Sequence, residues 1–113
     1  PNEITYQLDF DNQLTQLNIP MQDRRHLFML YKEALNNIIK YAGCKNAFLS
    51  MQVIDNNLVM KIEDDGKGFD MANHKPGNGL INMQQRADEM KAELIITALP
   101  GKGCSILLRY PLK

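Results

Sequence analysis

The sequence predicts an α+β protein: a two-layer sandwich in which a mostly antiparallel mixed sheet carries its helices on one face. Three observations lead there. Residues near the start alternate apolar and polar; two later stretches repeat apolar residues at three- and four-residue steps; and two pairs of β-rich runs are each joined by a short turn rich in Asp, Asn, Gly or Pro. The resulting order is strand, helix, hairpin, loop, helix, hairpin, which two packed layers accommodate economically.

The elements follow in turn. Ile4, Tyr6, Leu8 and Phe10 alternate with Thr5, Gln7 and Asp9, the two-residue period of a half-buried strand over 3–10. A polar stretch from Asp11 to Asn18 and a break at Pro20 come next. Leu27, Leu30, Tyr31, Ala34, Leu35, Ile38 and Ala42 then describe an amphipathic helix stopped at Gly43. The runs 47–54 and 58–62 flank Asp55-Asn56-Asn57, residue types that tolerate the left-handed backbone of tight hairpins. Residues 66–77 form the one long irregular, glycine-rich stretch. Leu80, Met83, Ala87 and Met90 mark a second helix over 79–91, and runs 93–98 and 104–110 form a second hairpin around Pro100-Gly101-Lys102-Gly103.

Length and charge narrow the function classes. With 113 residues the chain fits one domain, 1–113, around one core. Thirteen acidic and thirteen basic side chains cancel, so no nucleic-acid partner is expected, and any bound anion must be held locally. Cys44 and Cys104 lack metal-ligand spacing and read as reduced structural thiols. No segment approaches the roughly 18 consecutive apolar residues of a membrane span, and with neither a signal peptide nor a dense cysteine framework the chain is expected in the cytoplasm. Its start at Pro1 reads as that of a fragment.

Three blocks carry chemistry. On the first helix, Glu33, Asn37 and Lys40 share a stripe beside the apolar face. A carboxylate, an amide oxygen and an ammonium so aligned suit an ordered water, a hard divalent cation and a phosphate; alone, the same stripe also fits a solvated helix face. The second block, Asp64-Asp65-Gly66-Lys67-Gly68, follows a strand. Its glycines let the backbone approach a flat ligand, and Asp64 can accept from an exocyclic amine, although Asp-Gly turns are common at surfaces. The third, Gly77-Asn78-Gly79-Leu80, opens the second helix, where backbone N–H groups and the helix dipole form an anion site without a basic residue. Gly-x-Gly before a helix is also an ordinary hinge. The P-loop and Rossmann fingerprints are both absent.

In combination these blocks resemble a known family. Residues 33–41 and the following Ala42 are similar to the N box of the GHKL (Bergerat-fold) ATPases, 64–69 to their first glycine box, 77–83 to the second and 100–104 to the last. Within that superfamily Glu33-Ala34-Leu35-Asn36-Asn37-Ile38-Ile39-Lys40-Tyr41-Ala42 and Gly79-Leu80-Ile81-Asn82-Met83-Gln84-Gln85-Arg86-Ala87 resemble the catalytic domain of bacterial sensor histidine kinases of the nitrate-sensor and lipid-fluidity-sensor type.

The resemblance implies ATP and Mg2+ as ligands. Asp64 would accept from the adenine amino group and Gly66 and Gly68 would shape the base end, with Gly68 backing the purine. Asn37 would coordinate magnesium, Glu33 would orient water near it, and Lys40 and Tyr41 would reach phosphates. Gly77, Gly79 and Leu80 would form the phosphate-side turn, with residues 69–78 as a short lid. The γ-phosphoryl group would pass to a histidine on an adjoining dimerisation and phosphoacceptor domain, with a response regulator downstream and a membrane-bound homodimer as parent protein. This domain itself would make no membrane contact. Two positions depart from the family pattern: Tyr41 stands where histidine is common, and Cys104 where threonine or serine is usual. His26 and His74, the two histidines, lie on the nucleotide helix and in the lid, and neither suits the acceptor role. A serine-directed anti-sigma-factor kinase of the same fold, or a catalytically silent nucleotide- or protein-binding module, remains open at this level.

Overall fold

The computed structural model describes residues 3–68 and 78–112. Most of the expected lid (69–77), with Gly77 and His74, lies outside the described residues, as does the side chain of Tyr41. The elements in chain order are β1 (Thr5–Phe10), a 3-10 turn (Asn12–Gln16), α1 (Met21–Asn37), a π-helical turn (Ile38–Ala42), β2 (Asn46–Ile54), β3 (Asn57–Asp64), α2 (Asn78–Glu89), β4 (Glu93–Ala98) and β5 (Cys104–Pro111). Asn78, assigned to the lid by resemblance, is the first residue of α2.

The strands form one sheet in the order β1-β2-β3-β5-β4. Three of its pairings are antiparallel and one, β1 with β2, is parallel. The β2–β3 hairpin closes through Asp55 and Asn56 alone, with φ of 50° and 63°, consecutive left-handed residues that match the strand twist. Asn57, counted with the turn in the sequence, is already paired with Ile54.

One face of the sheet supplies Ala47 and Leu49 from β2, Leu58, Met60 and Ile62 from β3, and Ile106, Leu108 and Tyr110 from β5. Against it pack Leu27, Leu30, Ala34 and Ile38 from the first helical segment and Met83, Ala87 and Met90 from α2 and its end. The alternation of β3 is strict, with buried Leu58, Met60 and Ile62 between half-buried Val59, Lys61 and Glu63. It leaves Lys61 and Glu63 on the far face, 3.7 Å apart. Met83 and Met90 are both buried in this core, where a flexible thioether side chain suits irregular space.

Two differences from the sequence reading have physical causes. The first strand forms, but all six of its residues are exposed rather than half-buried. It is an edge strand paired only with β2, and Tyr6, Leu8 and Phe10 lie beyond the reach of the two helices. The first helix also does not run unbroken to Gly43. After Asn37 it widens into the π turn, and Gly43 ends it at φ 60°. The wide turn delivers the carbonyl of Ala42 to the loop after β3, where it accepts from Lys67 N at 2.9 Å; such local widening is often found at functional sites.

Candidate functional site

Strand parity decides which carboxylate of the Asp64-Asp65 pair faces the helices. Asp64 ends β3 in phase with Leu58, Met60 and Ile62, and its register partners are buried Ala47 on β2 and Cys104 on β5. Its side chain lies half-buried on the helix side, where Oδ1 accepts from Gly66 N at 2.9 Å. Burial pushes this carboxyl above its ordinary range, against the pull of the Gly66 and Cys104 backbone. Cys104 stands beside it, its thiol pushed up to about 11 by burial and then by the Asp64 charge. Cys44 is buried and its thiol is raised for the same two leading reasons, so both free cysteines stay protonated and weakly reactive.

The glycines show how the blocks meet. A Cβ on Gly66 would sit 2.1 Å from the carbonyl oxygen of Ala42 and 2.9 Å from Asp64 Oδ1. One on Gly103 would sit 2.0 Å from the Asp64 carbonyl oxygen, at a φ of +79° that already favours glycine. One on Gly68 would meet the carbonyl oxygens of Leu99 and Gly103 at 2.1 and 2.7 Å. The end of the first helical segment, the turn after β3 and the β4–β5 turn are therefore in backbone contact around Asp64. A further hydrogen bond, Gly101 N to Lys67 O at 2.6 Å, ties the last two together.

The other end of the site is built from α1 and the start of α2. Glu33 and Asn37 are half-buried, one turn apart on α1. Gly79, in the first turn of α2, packs directly on them: a Cβ there would lie 2.6 Å from Glu33 Oε2 and 3.6 Å from Asn37 Nδ2. Carboxylate and amide thus converge beside the N-terminal turn of α2, whose first residues have backbone N–H groups without intrahelical acceptors. Leu80 packs partly buried against the core. Lys40 is exposed within the π turn; the wider turn rotates it off the stripe that an uninterrupted 3.6-residue period would give it with Glu33 and Asn37.

The residues present suit a magnesium ion. A carboxylate and an amide on one helix face, with a half-turn of the Asn37 amide presenting its oxygen, supply the few hard oxygen donors this ion takes from a protein when phosphates provide others. Among the described residues no group of three or more His, Cys, Asp or Glu side chains could hold a metal, so any cation here depends on a ligand for the rest of its shell.

One residue has a structural role that escaped the sequence reading. Asp65 is exposed, yet both of its oxygens are engaged: Oδ1 accepts from Lys45 N and Asn46 N, each at 2.9 Å, and Oδ2 accepts from Asn46 Nδ2 at 2.8 Å. The parity of β3 was the available signal, since it separates Asp65 from the half-buried carboxylate of Asp64. Its partners lie 19 and 20 residues earlier, beyond any local pattern. His26 also has a defined place: it joins α1 to α2 through Arg86 Nη1 at 3.3 Å and Glu89 Oε2 at 2.9 Å.

An open groove of about 410 Å³ on the opposite face of the sheet is lined by Gln7, Phe48, Glu63 and Lys102 among others. It reaches Asp64, Asp65 and Lys102 but neither Glu33 nor Gly79, so it adjoins one end of the rim and does not run along it.

Comparison with known proteins agrees with this arrangement. Residues 22–113 match the family described as histidine kinase-, DNA gyrase B-, and HSP90-like ATPase. The chain is 33% identical over 87 residues to the signal transduction histidine-protein kinase/phosphatase DegS of Brevibacillus brevis, covering 76% of this chain and 22% of that protein. It is 29% identical over 106 residues to the sensor histidine kinase LiaS of Bacillus subtilis, covering 93% of this chain and 29% of the relative. The sensor protein VraS of Staphylococcus aureus is 29% identical over 102 residues, 89% of this chain and 29% of VraS. The chain thus spans under a third of the length of these relatives. In fold it is similar to the histidine kinase domain of the Erythrobacter litoralis EL346 blue-light activated histidine kinase, with a TM-score of 0.84 at 22% identity over 99% of this chain and 53% of that one. The Acinetobacter baumannii histidine kinase AdeS gives 0.78 at 21% identity, over 99% of this chain and 56% of AdeS. With four sequence blocks drawn into one rim and a family match over most of its length, the chain belongs to the histidine kinase-, DNA gyrase B- and HSP90-like ATPases.

Proposed function

We propose that this chain is the ATP-binding catalytic domain of a two-component sensor histidine kinase, which binds Mg-ATP and presents the γ-phosphoryl group to a histidine on an adjoining dimerisation and phosphoacceptor domain. The observation that carries the reading is the packing of Gly79 on Glu33 and Asn37 at one end of the rim while Gly66 and Gly103 close around Asp64 at the other. On this reading the rim has a base end at Asp64 and a phosphate end at Gly79.

At the base end, Asp64 accepts a hydrogen bond from the adenine amino group and the Gly68 backbone lies against the purine. At the phosphate end, the N–H groups of Gly79 and Leu80 at the start of α2 receive phosphate oxygens, favoured by the helix dipole. Lys40 adds an exposed positive charge from the π turn. Asn37 contributes an oxygen to magnesium, and Glu33 holds a water beside it. A magnesium ion held beside Asn37 and Glu33 would supply neutralisation of phosphate charge. What the chain contributes to transfer is position and charge: it fixes the base, aligns the phosphates and leaves the terminal phosphoryl group accessible to a nucleophile from another domain.

The parent protein on this reading is a membrane-bound homodimer whose catalytic portion is cytoplasmic, with a response regulator downstream. No described helix is long and apolar enough to cross a membrane.

The test is titration of a non-hydrolysable ATP analogue into the wild type and Asp64→Asn, with and without magnesium. A magnesium-dependent dissociation constant below about 1 mM, weakened about tenfold or more in the variant, supports the reading, since a hydrogen bond to a charged group contributes about 1.5–3 kcal/mol. No binding by the wild type at millimolar nucleotide overturns it. A separately produced phosphoacceptor helical segment should then acquire acid-labile phosphate from ATP, and persistent failure to label it would refute the kinase assignment while leaving nucleotide binding intact.

A further inference from the structure

We propose that Asp65 is the positioning residue for base recognition: by pinning the end of β3 to the start of β2, it fixes the carboxylate of Asp64 and so sets how sharply the site distinguishes adenine from a purine lacking the amino group. The proposal rests on the nucleotide-binding reading and deepens it.

Asp64 is the last residue of β3, and beyond it the chain turns through Asp65 and Gly66. A carboxylate at a strand end discriminates between bases only if its backbone cannot swing. On the β5 side that backbone is confined by Gly103, which lies against the Asp64 carbonyl, and by the register pairing with Cys104. On the β2 side it is paired with Ala47, and Asp65 carries the tie one residue beyond the end of that ladder. Its N–H donates to Asn46 O at 3.1 Å, while its carboxylate takes the N–H groups of Lys45 and Asn46 and the Asn46 side-chain amide.

Three donors on one carboxylate engage both of its oxygens with the start of β2, which commits the side chain to holding that backbone. These hydrogen bonds hold the Asp65 carboxyl below its ordinary range, favouring the ionised form that accepts them. Asp64 and Asp65 thus divide the labour: the half-buried carboxylate meets the ligand, and the exposed one holds its neighbour in place.

The experiment measures discrimination rather than affinity alone. Dissociation constants are determined for wild type, Asp65→Asn and Asp65→Ala with three probes: a non-hydrolysable ATP analogue, the same analogue carrying hypoxanthine, and magnesium tripolyphosphate. Hypoxanthine presents a carbonyl where adenine presents an amino group, so the amino-to-carboxylate contact is made by the adenine probe alone and the ratio between the two purines reports on Asp64 geometry. Asp65→Asn keeps the shape but turns an amide donor toward donors. The expected result is about tenfold weaker binding of the adenine probe, with the hypoxanthine probe and tripolyphosphate unchanged within about twofold. Combining Asp65→Asn with Asp64→Asn should add little to the loss from Asp64→Asn alone.

Parallel weakening of all three probes, or an unchanged ratio between the two purines, overturns the proposal and leaves Asp65 a general structural clamp. Should the Asp65 variants fail to fold, Asn46→Ala, which removes only the 2.8 Å side-chain contact, must reduce the adenine preference in the same direction or the proposal fails. If the wild type binds neither purine, it is the nucleotide reading that falls, and this proposal falls with it.

Discussion

Gly79→Ala separates folding from function at the phosphate end of the site. The added methyl would lie 2.6 Å from Glu33 Oε2, 3.3 Å from Glu33 Cδ and 3.6 Å from Asn37 Nδ2. The close atoms belong to the end of a flexible side chain, so Glu33 can escape by changing rotamer at a cost of about 0.5–1.5 kcal/mol. Alanine in a helix regains up to about 1 kcal/mol over glycine, and the net change should stay within about 1 kcal/mol, a Tm shift of no more than about 8 °C. Magnesium-dependent binding should suffer far more. Expelling Glu33 from beside Asn37 and the α2 N-terminus removes a charged contact of about 1.5–3 kcal/mol, roughly 10- to 100-fold in the dissociation constant of an ATP analogue. Calorimetric titration with and without magnesium, alongside a thermal melt, reads both quantities. Because the effect runs through Glu33, adding Gly79→Ala to Glu33→Ala should cost little more than Glu33→Ala alone. Wild-type magnesium dependence in Gly79→Ala, or full additivity in the pair, would refute the reasoning.

Other perturbations follow from the same geometry. Gly66→Ala and Gly103→Ala place a methyl 2.1 and 2.0 Å from backbone carbonyl oxygens that cannot rotate away; each should lose about 3 kcal/mol or more, on the order of 15 °C in Tm. Gly101→Ala, at φ +75° but in open space, should lose only about 1–2 kcal/mol in the same melt. Tyr110 donates to Asp23 Oδ2 at the start of α1, and burial, followed by the Asp23 contact, pushes its phenol from 10.0 to about 12. A raised folded-state value means this stability is complete below pH 10 and is lost as pH rises from 10 to 12; Tyr110→Phe should lower stability at pH 7 by about 1–2 kcal/mol and flatten that alkaline limb in denaturant melts. Asp64 is raised as well, so its ionisation at neutral pH opposes folding, its stabilising protonated form being retained only at low pH. Asp64→Asn should therefore leave Tm unchanged or higher at pH 7 even as it loses nucleotide, and a lower Tm would contradict that sign.

The contrast between local and distant information explains what the sequence made legible. Hairpin 46–64 was readable because its turn chemistry, Asp55-Asn56, is contiguous and the alternation of β3 is strict. The N-box and glycine blocks were readable because each keeps its residues together. The π turn at Ile38–Ala42 was not, since the contact it serves, Ala42 O accepting from Lys67 N, involves a residue 25 positions further along the chain. Nor was the exposure of β1: alternation predicts a sided strand, but whether its apolar side is covered depends on how far the helices extend across the sheet. Asp65 stood in plain view in the second block. Its work was hidden because its partners Lys45 and Asn46 carry no signature of their own.

The central claim is that one nucleotide spans the rim, base at Asp64 and phosphates at Gly79. It is tested most directly by backbone amide chemical shifts of the labelled chain titrated with an ATP analogue and, separately, with tripolyphosphate, both with magnesium. The account predicts that Gly79 and Leu80 respond to both ligands while Gly66 and Gly68 respond only to the nucleotide. Shifts confined to Phe48 and Glu63 in the groove on the opposite face, with Gly66 and Gly79 unmoved, would contradict it.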